Sequence, residues 1–290
     1  MDAVTCFSCT RDETEDLPFS LLEDLGITAH SAHSKAESMA RVCMARAAQN
    51  NDVFCRIPFC VTVEAEAFGA IVDIPDDGSA PGSARFIFNA IEQLADLRSM
   101  DLTAGRIDEV LNCIEIMTQQ EKKVCLGVEG PFTILSFLID SSIIFKSIIK
   151  NRQFLDQALT IIEESLVTYI TAAFQCGAEM VSYADPAGAM QYFGLDLYKD
   201  VVGRSSYRIL RRLESAPCIG LVHLCGQSSL SFVKAGFCRA IKVEVPGAET
   251  YGQSLQVVAD RKTPVLLGHN CMKNTHVKMK KPIVWQIELN

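Results

Sequence analysis

The sequence predicts an α/β fold, a single (β/α)8 TIM-type barrel, and three observations predict it. Short β-rich runs alternate with amphipathic helical patterns along most of the chain. Such alternation implies parallel strands joined by crossover helices. About eight strand candidates fit within 290 residues, which suits one barrel domain over 1–290. Polar residues recur where these strands end, and the C-terminal rim is where barrel enzymes carry their chemistry. A doubly wound open sheet is the alternative. No glycine-rich phosphate loop follows the first strand, which argues against a dinucleotide-binding sheet.

The elements follow in order. "FCRIPFCVTV" (54–63) and "GAIVDI" (69–74) read as strands, and a Pro/Gly/Asp loop then leads to a helix over 84–97. That helix places Phe88, Ile91 and Leu94 on one face. A second helix covers 107–119, and "KVCLGVEGPFT" (123–133) is a buried strand breaking into a loop. A long helix spans 156–176, and "AEMVSYADPAG" (178–188) is a strand punctuated by Pro186 and Gly188. A helix over 198–213 precedes "CIGLVHLCG" (218–226), a strand that runs into a loop. "CRAIKVEVPG" (238–247), "TPVLLGHNC" (263–271) and "PIVWQIEL" (282–289) are the last three strand candidates.

Composition narrows the function classes. Half the residues are hydrophobic (49%) and 21% are charged, the profile of a globular chain with a large core. The formal net charge is −8 and the only dense basic run, "KNTHVKMKKP" (273–282), reads as a solvated terminal segment, so nucleic acid is not an expected partner. The stretch "GPFTILSFLIDSSIIF" (130–145) is interrupted by Asp140 and serines and falls short of the ~20 apolar residues of a membrane span. The acidic start "MDAVTCFSCTRDETED" lacks a signal peptide's apolar segment. Twelve cysteines without a secretion signal indicate reduced thiols and a cytoplasmic protein. Most, such as Cys43, Cys113 and Cys176, sit in helical patterns as small core residues.

Candidate chemistry gathers at strand ends. Glu129, Tyr183 and Asp185, His223 and Cys225, and His269 and Cys271 close four of these strands. In a strand, alternate residues share a face, so His223 and Cys225 point the same way. Two thiols and an imidazole form a zinc-type ligand set, here His223, Cys225 and Cys271. Three protein ligands leave a fourth position for substrate, or for His269 or Asp185 in its absence. Asp185 and Glu129 are candidates to position substrate or order a water, and an acid at a strand end can equally cap a helix. The pair Cys6 and Cys9 has metal-like spacing, with no second pair at zinc-finger distance. His30 and His33 precede a helix and read as surface or capping residues.

The motifs "PFCVTVEAEAFGAIVD", "GVEGPFTI", "YADPAG", "HLCG" and "GHNC" occur in an order that resembles the uroporphyrinogen decarboxylase superfamily, specifically its corrinoid-dependent methyltransferase branch. The resemblance runs from Phe54 to Cys271. It implies His223, Cys225 and Cys271 as ligands of Zn2+, and a barrel mouth that receives a corrinoid. Methylcobalamin on a corrinoid carrier protein would be the methyl donor, and a zinc-activated small thiol such as coenzyme M the acceptor. The first fifty residues match poorly and the chain is short for the family, which implies a barrel shortened at its C-terminus. "GHNCMKNT" aligns either with the family's last-strand cysteine motif or with the glycine motif one strand earlier. The rival functions are a metal-free decarboxylase acting on a tetrapyrrole, and a non-catalytic corrinoid- or tetrapyrrole-binding barrel. A polycarboxylate substrate calls for clustered arginines, and the first sixty residues hold only Arg11, Arg41, Arg46 and Arg56, scattered.

Overall fold

The computed structural model describes residues 16–216, 220–261 and 265–290. Cys6 and Cys9 lie outside them. Three helices lead in: α1 (Phe19–Leu25), α2 (Ala29–Ser34) and α3 (Ala36–Gln49). Strand β1 is only Cys55–Ile57. Pro58, which has no N–H for a ladder, ends it, and the chain turns into α4 (Val63–Ala67).

The predicted strand at 69–74 survives as β2 (Ile71–Asp73), but it pairs with β3 (Gly82–Arg85) in a separate antiparallel hairpin. The predicted helix over 84–97 does not form. Its amides at Ile87 and Phe88 donate to the Leu138 carbonyl, and only a 3₁₀ turn remains at Ile91–Asp96. Ile91 and Leu94 are still buried, so the apolar pattern marked the core correctly.

From there the expected alternation holds. Helix α5 (Gly105–Gln119) is followed by β4 (Val124–Glu129), α6 (Pro131–Leu138), α7 (Ser141–Lys150) and α8 (Arg152–Gln175). Strand β5 (Met180–Ala184) leads to α9 (Met190–Leu197), a π-turn and α10 (Gly203–Glu214). Strand β6 (Leu221–Leu224) and α11 (Gly226–Ala235) precede β7 (Cys238–Glu244), α12 (Tyr251–Ala259), β8 (Val265–Gly268) and β9 (Ile283–Leu289).

The main sheet has the order β1-β4-β5-β6-β8-β9-β7. Its first five strands are parallel, and β9 runs antiparallel between β8 and β7. Among the described residues the sheet does not close, which corrects the expected barrel. Strands β1 and β7 are its edges. β1 has only 3 residues, and the β7 edge carries Arg239, Lys242 and Glu244. Arg239 pairs with Glu288 and Lys242 with Glu244, and a charged edge of this kind discourages further pairing.

A closed barrel would pack the inward faces of its strands against one another. Here α12 fills that role. Cys125, Met180, Leu221 and Leu267 on one face of the sheet cluster with Tyr251, Leu255 and Val258 of α12, joined by Phe54 and Val284. The opposite face, with Leu126, Val128, Val181, Tyr183 and Leu224, packs on the helical layer. Among the described residues no helix is long and apolar enough to cross a membrane.

Candidate functional site

The strand register decides which side chains meet. Gly127 pairs with Ser182, Ser182 with His223, and His223 with Leu267, so these four share the face that α12 covers. Alternation puts Glu129 on that face too, and Cys225 follows β6 directly as the N-cap of α11. Tyr183 and Asp185 fall on the other. The sequence reading grouped all these residues at one mouth, and the pleat divides them.

Asp185 is buried and fully engaged. Its Oδ1 accepts from the Thr133 amide (2.8 Å) and the Thr133 hydroxyl (2.9 Å), and its Oδ2 from the Phe132 amide (3.2 Å). These amides lie in the first turn of α6, so the carboxylate caps that helix from the end of β5. Gly130 permits the approach, since a Cβ there would stand 2.5 Å from the Asp185 Cβ. Burial pushes the Asp185 carboxyl up to about 6, against the pull of the Thr133 hydroxyl and amide.

Glu129 is half-buried, and its backbone amide donates to Glu64 Oε1 at 3.2 Å. Glu64, on α4, is a site residue the sequence reading missed. It is 1% exposed, its Oε2 has no partner, and burial raises its carboxyl to about 7. Arg106 lies nearby, binding Glu66, Cys60 and Thr62. His33, expected at the surface, is 2% exposed and packs edge-on against Phe59. The signal for Glu64 was its place in "TVEAEAFG", where two acids share a helix start with apolar neighbours.

His223 is fully buried at 0% exposure. Its Nδ1 meets the Ser182 hydroxyl at 3.2 Å and its Nε2 the Tyr251 hydroxyl at 3.0 Å. Burial lowers its pKa to about 4, so the ring is neutral, the form that ligates metals. Nothing local in the sequence couples Tyr251 to His223. The contact exists because α12 fills the sheet's inner face.

Cys225 is half-buried and is the N-cap of α11. Its amide donates to the Tyr183 carbonyl at 2.9 Å. Cys271 stands just past β8, also half-buried, before a 3₁₀ turn. Burial raises the Cys271 thiol, and Cys225 is close enough to raise it further. Gly226 follows Cys225 and packs against the chain that leads to Cys271. A Cβ there would come within 3.3 Å of the His269 and Asn270 carbonyls, so this space is already filled by the end of β8. His269 itself has a left-handed backbone (φ 73°) that turns the chain after β8. Its amide donates to Ser229 Oγ, and its ring stands edge-on to Trp285.

An imidazole and two thiols from adjacent strand ends fit zinc in donor chemistry. In arrangement, no three His, Cys, Asp or Glu side chains among the described residues stand together as a metal cage. Both ring nitrogens of His223 face hydroxyls instead.

A family model described as uroporphyrinogen decarboxylase (URO-D) matches residues 5–260. That range includes His223 and Cys225 and stops short of Cys271. The methylcobamide:CoM methyltransferase MtaA of Methanosarcina barkeri is 26% identical over 210 residues, 71% of this chain and 61% of that protein. The methylcobamide:CoM methyltransferase MtbA of Methanosarcina acetivorans is 22% identical over 219 residues, 74% of this chain and 64% of that protein. This chain thus spans about three fifths of the length of the curated relatives it matches. Among solved structures, a methyltransferase from Methanosarcina mazei shares the fold with a TM-score of 0.66 at 23% identity, over 77% of this chain and 66% of that one.

Proposed function

This chain belongs to the uroporphyrinogen decarboxylase family, and within it we propose a methyltransferase that moves a methyl group from methylcobalamin, carried on a corrinoid protein, to a thiol such as coenzyme M. The relatives' names supply the reaction class. The observation that carries the reading is the donor set at the paired ends of β6 and β8: His223 and Cys225, with Cys271 just beyond.

These three residues would hold a zinc ion and leave one position for the acceptor sulfur. Zinc there would lower the acceptor's thiol pKa and keep it as thiolate near neutral pH. Thiolates from Cys225 and Cys271 would balance a divalent charge, so a third sulfur beside them would stay electron-rich and nucleophilic. His223 would contribute as a neutral donor. Glu129, on the same inner face, would orient the acceptor or a water. Asp185 would act by holding α6 against the rim, as a positioning residue. The main contribution of the fold is placing sulfur and methyl carbon in attack geometry, and the rim around Cys225 would receive the corrinoid carrier.

Elemental analysis of the purified full chain tests the donor set. One zinc per chain, lost in Cys225→Ala and Cys271→Ala, is the expected result. Full zinc in both variants overturns it. A second reading, a corrinoid- or tetrapyrrole-binding protein without turnover, draws on the ring nitrogens of His223 facing hydroxyls. Corrinoid binding with no zinc and no methyl transfer would favour it.

A further inference from the structure

Three buried free thiols take no part in the proposed site. Cys43 lies on α3, Cys55 on β1 and Cys113 on α5, and all three belong to the core on the helical side of the sheet. Phe54 packs on the opposite face, so strand alternation turns Cys55 towards the helices. There the Cys43 and Cys55 side chains stand in hydrogen-bonding contact. The Cys43 thiol also donates to the carbonyl of Arg56, the next residue of β1, at 3.2 Å.

The two sulfurs differ in character. The hydrogen bond from Cys43 is the largest influence on Cys55 and lowers its pKa; burial opposes it, and Lys122 adds a further pull downward. The same contact, with burial, raises Cys43. When the pair loses a proton, the charge therefore rests on Cys55 and Cys43 keeps its hydrogen. Burial raises Cys113, which holds it as a thiol. A thiolate is the nucleophile in sulfur oxidation, and a thiol beside it is the resolving group. The pair is also reachable. A cleft of about 20 Å³ extends to Cys43, with Arg46 and Arg56 on its wall. That volume admits one solvent-sized molecule.

We propose that Cys43 and Cys55 form an oxidative modification site, a dithiol that hydrogen peroxide converts to a disulfide joining α3 to β1. The site does not depend on the zinc reading above. The Cys55 thiolate attacks one peroxide oxygen: an S–O bond forms, the O–O bond breaks, and the departing hydroxide takes up a proton and leaves as water. The Cys43 thiol then attacks the sulfenic acid on Cys55. Cys43 gives up its proton, the S–S bond forms, the S–O bond breaks, and the oxygen leaves as a second water. The two sulfurs lose two electrons and the peroxide takes them. Arg46 and Arg56 supply N–H donors for the departing hydroxide. The product closes the short loop between α3 and β1. Because β1 is an edge strand, paired with β4 on one side, this bond braces the edge that leads through Pro58 to α4.

Peptide mapping of the full chain tests the site. The protein is reduced, freed of reductant, treated with one equivalent of hydrogen peroxide, alkylated in denaturant and digested with trypsin without further reduction. The first disulfide is expected to join the peptides 42–46 and 47–56, ahead of oxidation at the more exposed Cys176, Cys225 and Cys271, and dithiothreitol should reverse it. The oxidised chain should unfold at a higher urea concentration than the reduced one, and Cys43→Ser should abolish that shift while dimedone traps a sulfenic acid on Cys55. A bond from either residue to Cys113 overturns the pairing. Oxidation that follows exposure and leaves Cys43 and Cys55 as thiols overturns the site. An unmoved urea midpoint with the bond formed contradicts the bracing of β1. Should Cys43→Ser fail to fold, the mapping of the wild type still decides.

Discussion

Asp185 and Thr133 are joined twice, through the Thr133 amide at 2.8 Å and its hydroxyl at 2.9 Å, and the pair pins the start of α6 to the end of β5. Replacing Asp185 by Ala strips the cap from α6 and leaves buried donors without a partner. The expected loss is about 2–4 kcal/mol of folding stability, read as a shift of the urea midpoint. A purely chemical role for Asp185 would leave the midpoint where it is.

Glu64 makes stability depend on pH. Its folded carboxyl sits at about 7, above its unfolded value of 4.5, because burial penalises the charge. The folded state therefore binds the proton more tightly, and the contribution is full below pH 4.5 and lost as pH rises through 7. The difference amounts to about 3 kcal/mol. Glu64→Gln cannot ionise, so it should be more stable than wild type at pH 8 and about equal at pH 4.5. Paired thermal melts at the two pH values check this. Parallel pH dependence in both proteins would contradict it.

If α12 takes the place of a barrel's interior packing, its apolar face should be as costly to cut as any core. Leu255 is 0% exposed and packs within the inner cluster. Leu255→Ala should cost about 2–5 kcal/mol. The exposed Val257, on the other side of the same helix, should tolerate Ala with a loss under about 1 kcal/mol. Equal effects at both positions would show that α12 does not sit on the sheet.

Much of the fold was legible in the sequence because its signals are local. The apolar runs ending in Glu129, Ala184 and Leu224 gave strands β4, β5 and β6, and the 3.6-residue pattern gave α5, α8 and α10. Closure was not legible. Whether β8 pairs with β6, and whether β9 inserts beside it, depends on partners distant in the sequence. The hairpin of β2 and β3 shows the same limit, since a strand pattern does not say which sheet it joins. At the site, the apolar run located β6 and its buried His223, and Cys225 follows it as the N-cap of α11. Alternation, applied across β5, would have turned Asp185 away from His223. The hydroxyl of Tyr251 on His223 had no local signal, because it arises from the packing of α12.

The most direct measurement of the central claim is methyl transfer itself. The zinc-loaded full chain is incubated with methylcobalamin and coenzyme M, and the methylated thiol is quantified by mass spectrometry against the loss of methylcobalamin. The account predicts equimolar appearance of the methyl thioether, lost in His223→Ala and Cys225→Ala. No thioether from wild-type protein that carries zinc on His223, Cys225 and Cys271 would contradict it.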